Sequence, residues 1–470
     1  MNVASVKRRL RWCKTYPSAA KLIMSAAGKS PARNTIVPSG EAEISAPAAG
    51  LKTRLTPGQR QGFWAAWTGW TLDGMDAFIY ALVLSPALTE LLPKSGLAAA
   101  PVNVAFSGSV LFALFLVGWG LAFLWGPVAD RFGRTRTLAA SVLVYAVFTG
   151  AAALAQNVWE LAIFRLLAGI GIGGEWALAG TYVAEAWPED RRKMGAGYLQ
   201  TGYYVGFFLA AVLNFTVGAW FGWRAMFLCG LAPVFLSLYI VFKVKEPERW
   251  QQAAAGAAAV SPLRGIFSGP NFRRTIVNAA LLTVSIVGLW AGSVYEPTAI
   301  ITLAKQAGLA PPHAVRLASM GTGLLSIGTI LGCLAAPVLC ERLGRRAGLA
   351  VFFVGMAACI WLSFGWAFYL PEGLHTFIFL LFFLGFFGGN FAVYSLWLPE
   401  QYSTSVRATA FAFTTSFGRL IGAGVNFLLG WAVQQHGSLG LPVACTALAF
   451  LLGLAVVPFA VETKGEKLPA

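Results

Sequence analysis

Runs of about twenty apolar residues, separated by short polar segments, repeat along this chain from residue 62 to residue 460. Each is long enough to cross a bilayer core of about 30 Å as a helix. The pattern predicts twelve helices, over 62–84, 103–127, 136–155, 159–181, 195–218, 223–243, 275–298, 317–340, 347–370, 374–397, 408–433 and 439–460. Residues 1–60 break the pattern. They carry 11 cations against Glu41 and Glu43, with no apolar core fit for a signal peptide, and so predict a disordered basic tail near anionic lipid. The division expected is a tail (1–60), a six-helix bundle (61–244), a central loop (245–274), a second six-helix bundle (275–462) and a short tail (463–470). The Ala-rich stretch Ala253–Ala259 suggests a surface helix within the central loop.

Composition agrees with a membrane protein. The chain is 57% hydrophobic and 11% charged, with mean hydropathy +0.67, too little charge for the surface of a soluble domain of 470 residues. Of 35 Lys and Arg, 29 fall in the tails and alternate loops, four in the opposite loops, and Arg165 and Arg419 within spans. That asymmetry places both termini in the cytoplasm. The net charge of +16 is therefore a topology signal, and nothing resembles a nucleic-acid-reading element. Cys13, Cys229, Cys333, Cys340, Cys359 and Cys445 lack metal spacing. His313, His375 and His436 fall in or near loops, so proton chemistry inside the membrane must use carboxylates. No cofactor, metal set, phosphate loop or nucleophile–base arrangement is visible, which argues against an enzyme.

Two motifs recur across the middle of the chain. Gly126, Asp130, Arg131, Gly133 and Arg134 have their counterparts 211 residues on, at Pro337, Glu341, Arg342, Gly344 and Arg345. Gly173-Gly174, Glu185 and Arg192 recur 215 residues on as Gly388-Gly389, Glu400 and Arg407. Matching halves are the mark of a transporter that rocks one half against the other. The loop Gly126–Arg136 is expected to turn at Gly133. Asp130, Arg131, Arg134, Glu185 and Arg192, with Glu341, Arg342, Arg345, Glu400 and Arg407, are expected to form a charged latch closing the cytoplasmic side.

Gly126-x-x-x-Asp130-Arg131-x-Gly133-Arg134 resembles the signature loop of the major facilitator superfamily. Lys245-Glu246-Pro247-Glu248-Arg249-Trp250 and Glu462-Thr463-Lys464-Gly465 resemble its half-end motifs. The resemblance implies two pseudo-symmetric six-helix bundles around a cavity lined mainly by helices one, four, seven and ten, with alternating access. Thr71-Leu72-Asp73-Gly74-Met75-Asp76 and Gly173-Gly174-Glu175-Trp176 are similar to proton-coupled organic-anion importers of the sialate and lactate type, then to metabolite and aromatic-acid symporters. Glu296 in helix seven departs from those groups, and Asn390 stands where the repeat of Glu175 falls.

Charges inside the bilayer carry the expected mechanism, because an ion there costs at least about 2.5–3.5 kcal/mol unless it faces a cavity or a partner. Asp73 and Asp76, three apart, share one helix face and are read as proton-coupling groups. Arg165 and Arg419 fall near mid-depth and are read as substrate-carboxylate ligands, the alternative being permanent structural pairs. Glu175, placed about 5 Å inside the core, either releases the proton inward or braces the loop around Arg131. Trp176, Trp290, Tyr295 and Asn390 are candidate substrate contacts, and Glu296 reads as a lip residue at the outer end of helix seven. The function expected is proton symport of a small organic anion, such as lactate, pyruvate or sialic acid, by a monomer in a bacterial inner membrane. A sugar symporter, a proton-coupled exporter and a non-transporting sensor are the rivals. Residues 195–218 contain no proline, against the exporter; no large added cytoplasmic domain supports a sensor.

Overall fold

The computed structural model describes residues 53–99, 101–256, 262–436 and 438–469, and all regular structure among them is helical. Most of the expected basic tail lies outside the described residues. The twelve helices in chain order are α1 (Pro57–Lys94), α2 (Val110–Phe132), α3 (Arg134–Leu154), α4 (Val158–Ala186), α5 (Glu189–Gly218), α6 (Trp220–Lys243), α7 (Pro270–Gln306), α8 (Pro311–Leu343), α9 (Arg345–Tyr369), α10 (Gly373–Glu400), α11 (Arg407–His436) and α12 (Gly440–Phe459). Among the described residues ten helices are long and apolar enough to cross a membrane, and a bent pair within α1 makes an eleventh span. The 37-residue α7 fills the seventh place. The central loop forms a helix over Glu248–Gly256, covering the first part of the expected Ala-rich helix; residues 257–261 lie outside the described set.

Several helices run past the ends their apolar runs predict. α1 begins at Pro57 because Thr56 and Gln59 cap each other's backbone, with bonds of 3.2 and 2.9 Å. It continues beyond residue 84 with a 61° bend at Pro86, where proline removes a helical hydrogen bond. α4 reaches Ala186 and α7 reaches Gln306. Both extensions change the depth of a buried acid. α10 loosens at Gly389–Asn390, between Gly373–Gly388 and Phe391–Glu400.

The expected loop 126–136 is one residue long. α2 continues to Phe132 and Gly133 (φ 115°, ψ 153°) turns the chain into α3, a conformation that essentially only glycine adopts. A Cβ there would also collide with the Glu246 carboxylate. Glu246 sits on the first amides of α3, accepting from Arg134 N (2.8 Å), Thr135 N (3.1 Å) and Arg136 N (3.2 Å). The second half repeats the device. Gly344 (φ 98°) turns α8 into α9, and Glu462 accepts from Arg345 N (2.9 Å) and Arg346 N (3.1 Å). A carboxylate at a helix N-terminus satisfies orphan amides and complements the helix dipole. Burial opposes the charge on Glu462, but the amides of Arg345, Arg346, Lys464 and Thr463 together hold its carboxyl below the usual range.

The halves meet through α5 against α8 and α2 against α11, with α4 and the end of α10 between them. Glycines allow the close approach: a Cβ on Gly197 of α5 would lie 2.7 Å from the Cys333 carbonyl of α8. Gly133→Ala should destabilise the detergent-solubilised protein by on the order of 1–3 kcal/mol, read as a drop in Tm. Gly96→Ala, also at positive φ (79°) but with open space around it, should cost less. Equal drops would remove the Glu246 collision as a cause.

Candidate functional site

The basic end of the bundle is closed by two carboxylates, each held by arginines from both halves. Glu185 of α4 accepts from Arg134 Nε and Nη2 (both 3.2 Å) in its own half, and from Arg407 Nη1 (2.7 Å) of the other. Glu400 of α10 accepts from Arg345 Nε and Nη2 (both 2.9 Å) in its own half, and from Arg192 Nη2 (3.3 Å) of the other. Around them Asp130 accepts from Arg134 Nη1 (2.6 Å), Thr409 N (2.8 Å) and the Thr409 hydroxyl at the start of α11. Its repeat, Glu341, accepts from Arg345 Nη1 and Lys193 Nζ, both at 2.6 Å. Eight of the ten residues expected in the latch thus come together in these charged contacts. Arg131 and Arg342 stay outside it: both are exposed, Arg131 lying over the Phe132 ring at 5.4 Å. Their neighbours one helical step away face inward, and a position at a helix end selects one face only.

Within the membrane the buried charges separate into two groups. Asp76 pairs with Arg165 at 3.8 Å and accepts from Thr149 Oγ1 at 3.0 Å. The Arg165 guanidinium lies over the Phe227 (4.9 Å) and Tyr80 (5.3 Å) rings. All of these belong to α1, α3, α4 and α6 of one half, so Arg165 makes an intra-bundle ion pair, although none of its guanidinium nitrogens has a hydrogen-bond partner among the described residues.

Asp73 forms the second group with Glu175 of α4; Asp76, Tyr145 and Tyr203 lie close enough to act on it electrostatically. Asp73 and Glu175 are fully buried, and neither carboxylate has a hydrogen-bond partner among the described residues. Glu175 lies against Gly69 of α1, where any Cβ would overlap its Oε1. It stands eleven residues from the end of α4, or roughly 16 Å at 1.5 Å per residue, deeper than the sequence placed it, because α4 is longer than its apolar run. It faces Asp73 and does not brace Arg131.

Arg419 enters this region from α11 of the other half. Its guanidinium lies over Trp119 (4.2 Å) and Trp176 (5.5 Å), with Nη1 unpartnered. Trp176 stacks on Trp70 (6.0 Å, 14°), which stacks on Tyr203 (4.6 Å, 28°). Trp176 also crosses the interface: its Nε1 donates to Ser395 Oγ at 2.9 Å, and its ring meets Phe411 and Phe391. Phe391 is the residue 215 positions on from Trp176, so two pseudo-equivalent aromatics meet between the halves. Asn390 is buried beside it, its Nδ2 donating to Phe387 O at 3.0 Å and its Oδ1 unpartnered.

Tyr295 is half-buried on α7, and the Trp290 side chain lies outside the described residues. Glu296 is not a lip residue. It is 1% exposed and accepts from Thr322 Oγ1 of α8 at 2.9 Å, because α7 extends ten residues beyond it. Sequence reasoning missed Trp119, Tyr145, Gly69 and Ser395. Only Trp119 left a trace, a large ring between Gly118 and Gly120.

The Major Facilitator Superfamily family model matches residues 66–425. This chain belongs to the major facilitator superfamily. It is therefore a membrane transporter and not an enzyme. It is 31% identical over 375 residues to a probable 4-methylmuconolactone transporter of Cupriavidus pinatubonensis, covering 78% of this chain and 82% of that one. It is 31% identical over 197 residues to the sialic acid transporter NanX of Escherichia coli, covering 42% and 46%. In fold it is similar to the proton:xylose symporter XylE, with a TM-score of 0.74 at 20% identity over 87% of this chain and 98% of that one.

Removing one partner of a buried charge pair costs about 3–5 kcal/mol. Glu185→Gln should therefore open the basic end. Cys333, buried where α5 meets α8, is the reporter, in a background with the other five cysteines replaced. Its labelling by an impermeant maleimide, added on the side of the basic loops, should rise at least tenfold over the Glu185 parent. Unchanged labelling would show that Glu185 does not hold the halves closed.

Proposed function

We propose that this transporter carries a small organic carboxylate into the cell together with protons, by alternating access in a bacterial inner membrane, with the basic end facing the cytoplasm. One observation carries the reading. Among the described residues Asp73 and Glu175 face each other with no cation within ion-pair distance, while the other half presents Arg419, which has no carboxylate within that distance.

Two adjacent carboxylates in a low-dielectric interior do not both stay ionised, so the Asp73–Glu175 pair is the proton carrier. Arg419 binds the substrate carboxylate. A guanidinium is suited to this because its planar fork matches two carboxylate oxygens. An anion on Arg419 neutralises a cation that acts on Asp73, so proton and substrate bind better together than apart. Asp76 and Arg165 position α1 against α4. Trp70, Trp176 and Tyr203 offer stacked rings beside Arg419, which favours substrates carrying a planar ring over lactate. The names of the muconolactone and sialic acid transporters are consistent with cyclic metabolites. The likeness to XylE is one of fold, and a buried arginine facing two acids argues for an anion over a sugar.

The test is uptake into proteoliposomes of nicotinate, gentisate, muconate, N-acetylneuraminate and lactate, with and without an inward proton gradient. Accumulation of at least one anion should require the gradient. Gradient-independent flux of every anion would overturn symport. Asp73→Asn should lose gradient-driven accumulation while keeping counterflow, and Arg419→Gln should lose both. Full accumulation by Asp73→Asn would exclude Asp73 as the coupling acid.

A further inference from the structure

Glu296 is a buried carboxylate that this mechanism does not use. It lies in the half opposite Asp73, on α7, and is 1% exposed. Its Oε1 accepts from Thr322 Oγ1 of α8 at 2.9 Å. Close by are the Gly321 backbone, Ile300 and Leu381. Among the described residues no cation comes within ion-pair distance of it and no other charged side chain acts on it; Tyr295, its titratable neighbour in sequence, is half-buried.

A carboxylate in this setting needs a partner. Among the described residues its one hydrogen-bond donor is the Thr322 hydroxyl, which Ala318 O also approaches at 3.0 Å. A hard metal cation is a poor fit, because such ions take about six to eight oxygen ligands and among the described residues no group of three or more metal-ligating side chains stands here. A proton needs no more than one carboxylate oxygen, and the second oxygen is then the one that accepts from Thr322. The following residue is Pro297, inside α7, whose missing amide removes one hydrogen bond from the helix beside the carboxyl.

We infer that Glu296, positioned by Thr322, is a second proton-binding site, so that each half of the transporter carries one proton per cycle. The O–H bond forms with a proton taken from water on one side of the membrane and breaks by release to water on the other. This rests on the proton-symport reading above and extends it to two protons per substrate. A monoanion would then move one net positive charge inward.

The experiment compares wild type, Glu296→Gln and Glu296→Asp in proteoliposomes. Proton influx is followed by an entrapped pH dye, alongside uptake of whichever panel anion wild type accumulates most. Wild type should move two protons per anion and be driven by membrane potential. Glu296→Gln should move one and lose the response to potential, and Glu296→Asp should restore two. No coupled proton in wild type would defeat symport itself. A ratio unchanged in Glu296→Gln would defeat only the second site. Should Glu296→Gln be inactive, infrared difference spectra between acidic and alkaline buffer decide. A protonated-carboxyl band that titrates in wild type should vanish in Glu296→Gln and move in Glu296→Asp. A Glu296 band present at every pH would make the residue a fixed structural acid and overturn the proposal.

Discussion

A carboxylate withdrawn from water must be given a cation, a set of donors or a proton, and the closed basic end rests on how Glu185 and Glu400 meet that demand. Each takes a two-pronged arginine from its own half and a further arginine from the other, and Glu400 also accepts from Thr463 Oγ1 at 2.6 Å. A buried polar network that is half satisfied is worse than none, so partial separation of the halves is unfavourable. The surrounding contacts are unequal in kind: Asp130 is fully buried on the start of α11, whereas the Lys193–Glu341 pair has side chains 24% and 39% exposed. Salt screens the exposed pair far more than the buried one.

Pseudo-symmetry is kept at the basic end and abandoned in the membrane interior. Asp130/Glu341, Glu185/Glu400, Arg134/Arg345 and Arg192/Arg407 hold their repeat relation and pair reciprocally. The glycine turns at Gly133 and Gly344, with Glu246 and Glu462 capping the helix that follows, do the same. In the membrane interior Glu175 becomes Asn390 and Trp176 becomes Phe391. A shared scaffold thus brings an acid pair from one half to an arginine from the other.

The spans were legible because a helix in lipid must be apolar over its length, and the repeats were legible because their offsets preserve residue type and charge sign. What was not legible depends on helix rotation and on distant partners. The loop after α2 shrinks to Gly133 only because Glu246, more than a hundred residues away, supplies the cap. Asp73 and Asp76 share a face by spacing, yet one turns to Glu175 and the other to Arg165. That division follows from the close approach of α1 and α4 at Gly69, which no pattern in α1 alone reveals. Glu175 and Glu296 were set too near the helix ends for a simpler reason: apolar runs understate helices that continue into capped, polar turns.

The two intramembrane arginines differ in what an incoming anion could displace. Arg165 already has a carboxylate and two rings within its own half, so a substrate would have to break an ion pair whose partner is then left buried and unpaired. Arg419 is held chiefly by ring faces. A desolvated cation–π contact is worth about 2 kcal/mol, and a charge-assisted bond to a carboxylate exceeds a neutral hydrogen bond about twofold. A carboxylate arriving at Arg419 therefore breaks no ion pair among the described residues, whereas at Arg165 it must break the one with Asp76. One of those rings is Trp176, which also contacts Ser395 and Phe391 across the interface. Drawing Arg419 off Trp176 loosens a contact that ties the halves together. On the proposed reading, substrate capture at Arg419 and release of the closed end are linked through this indole.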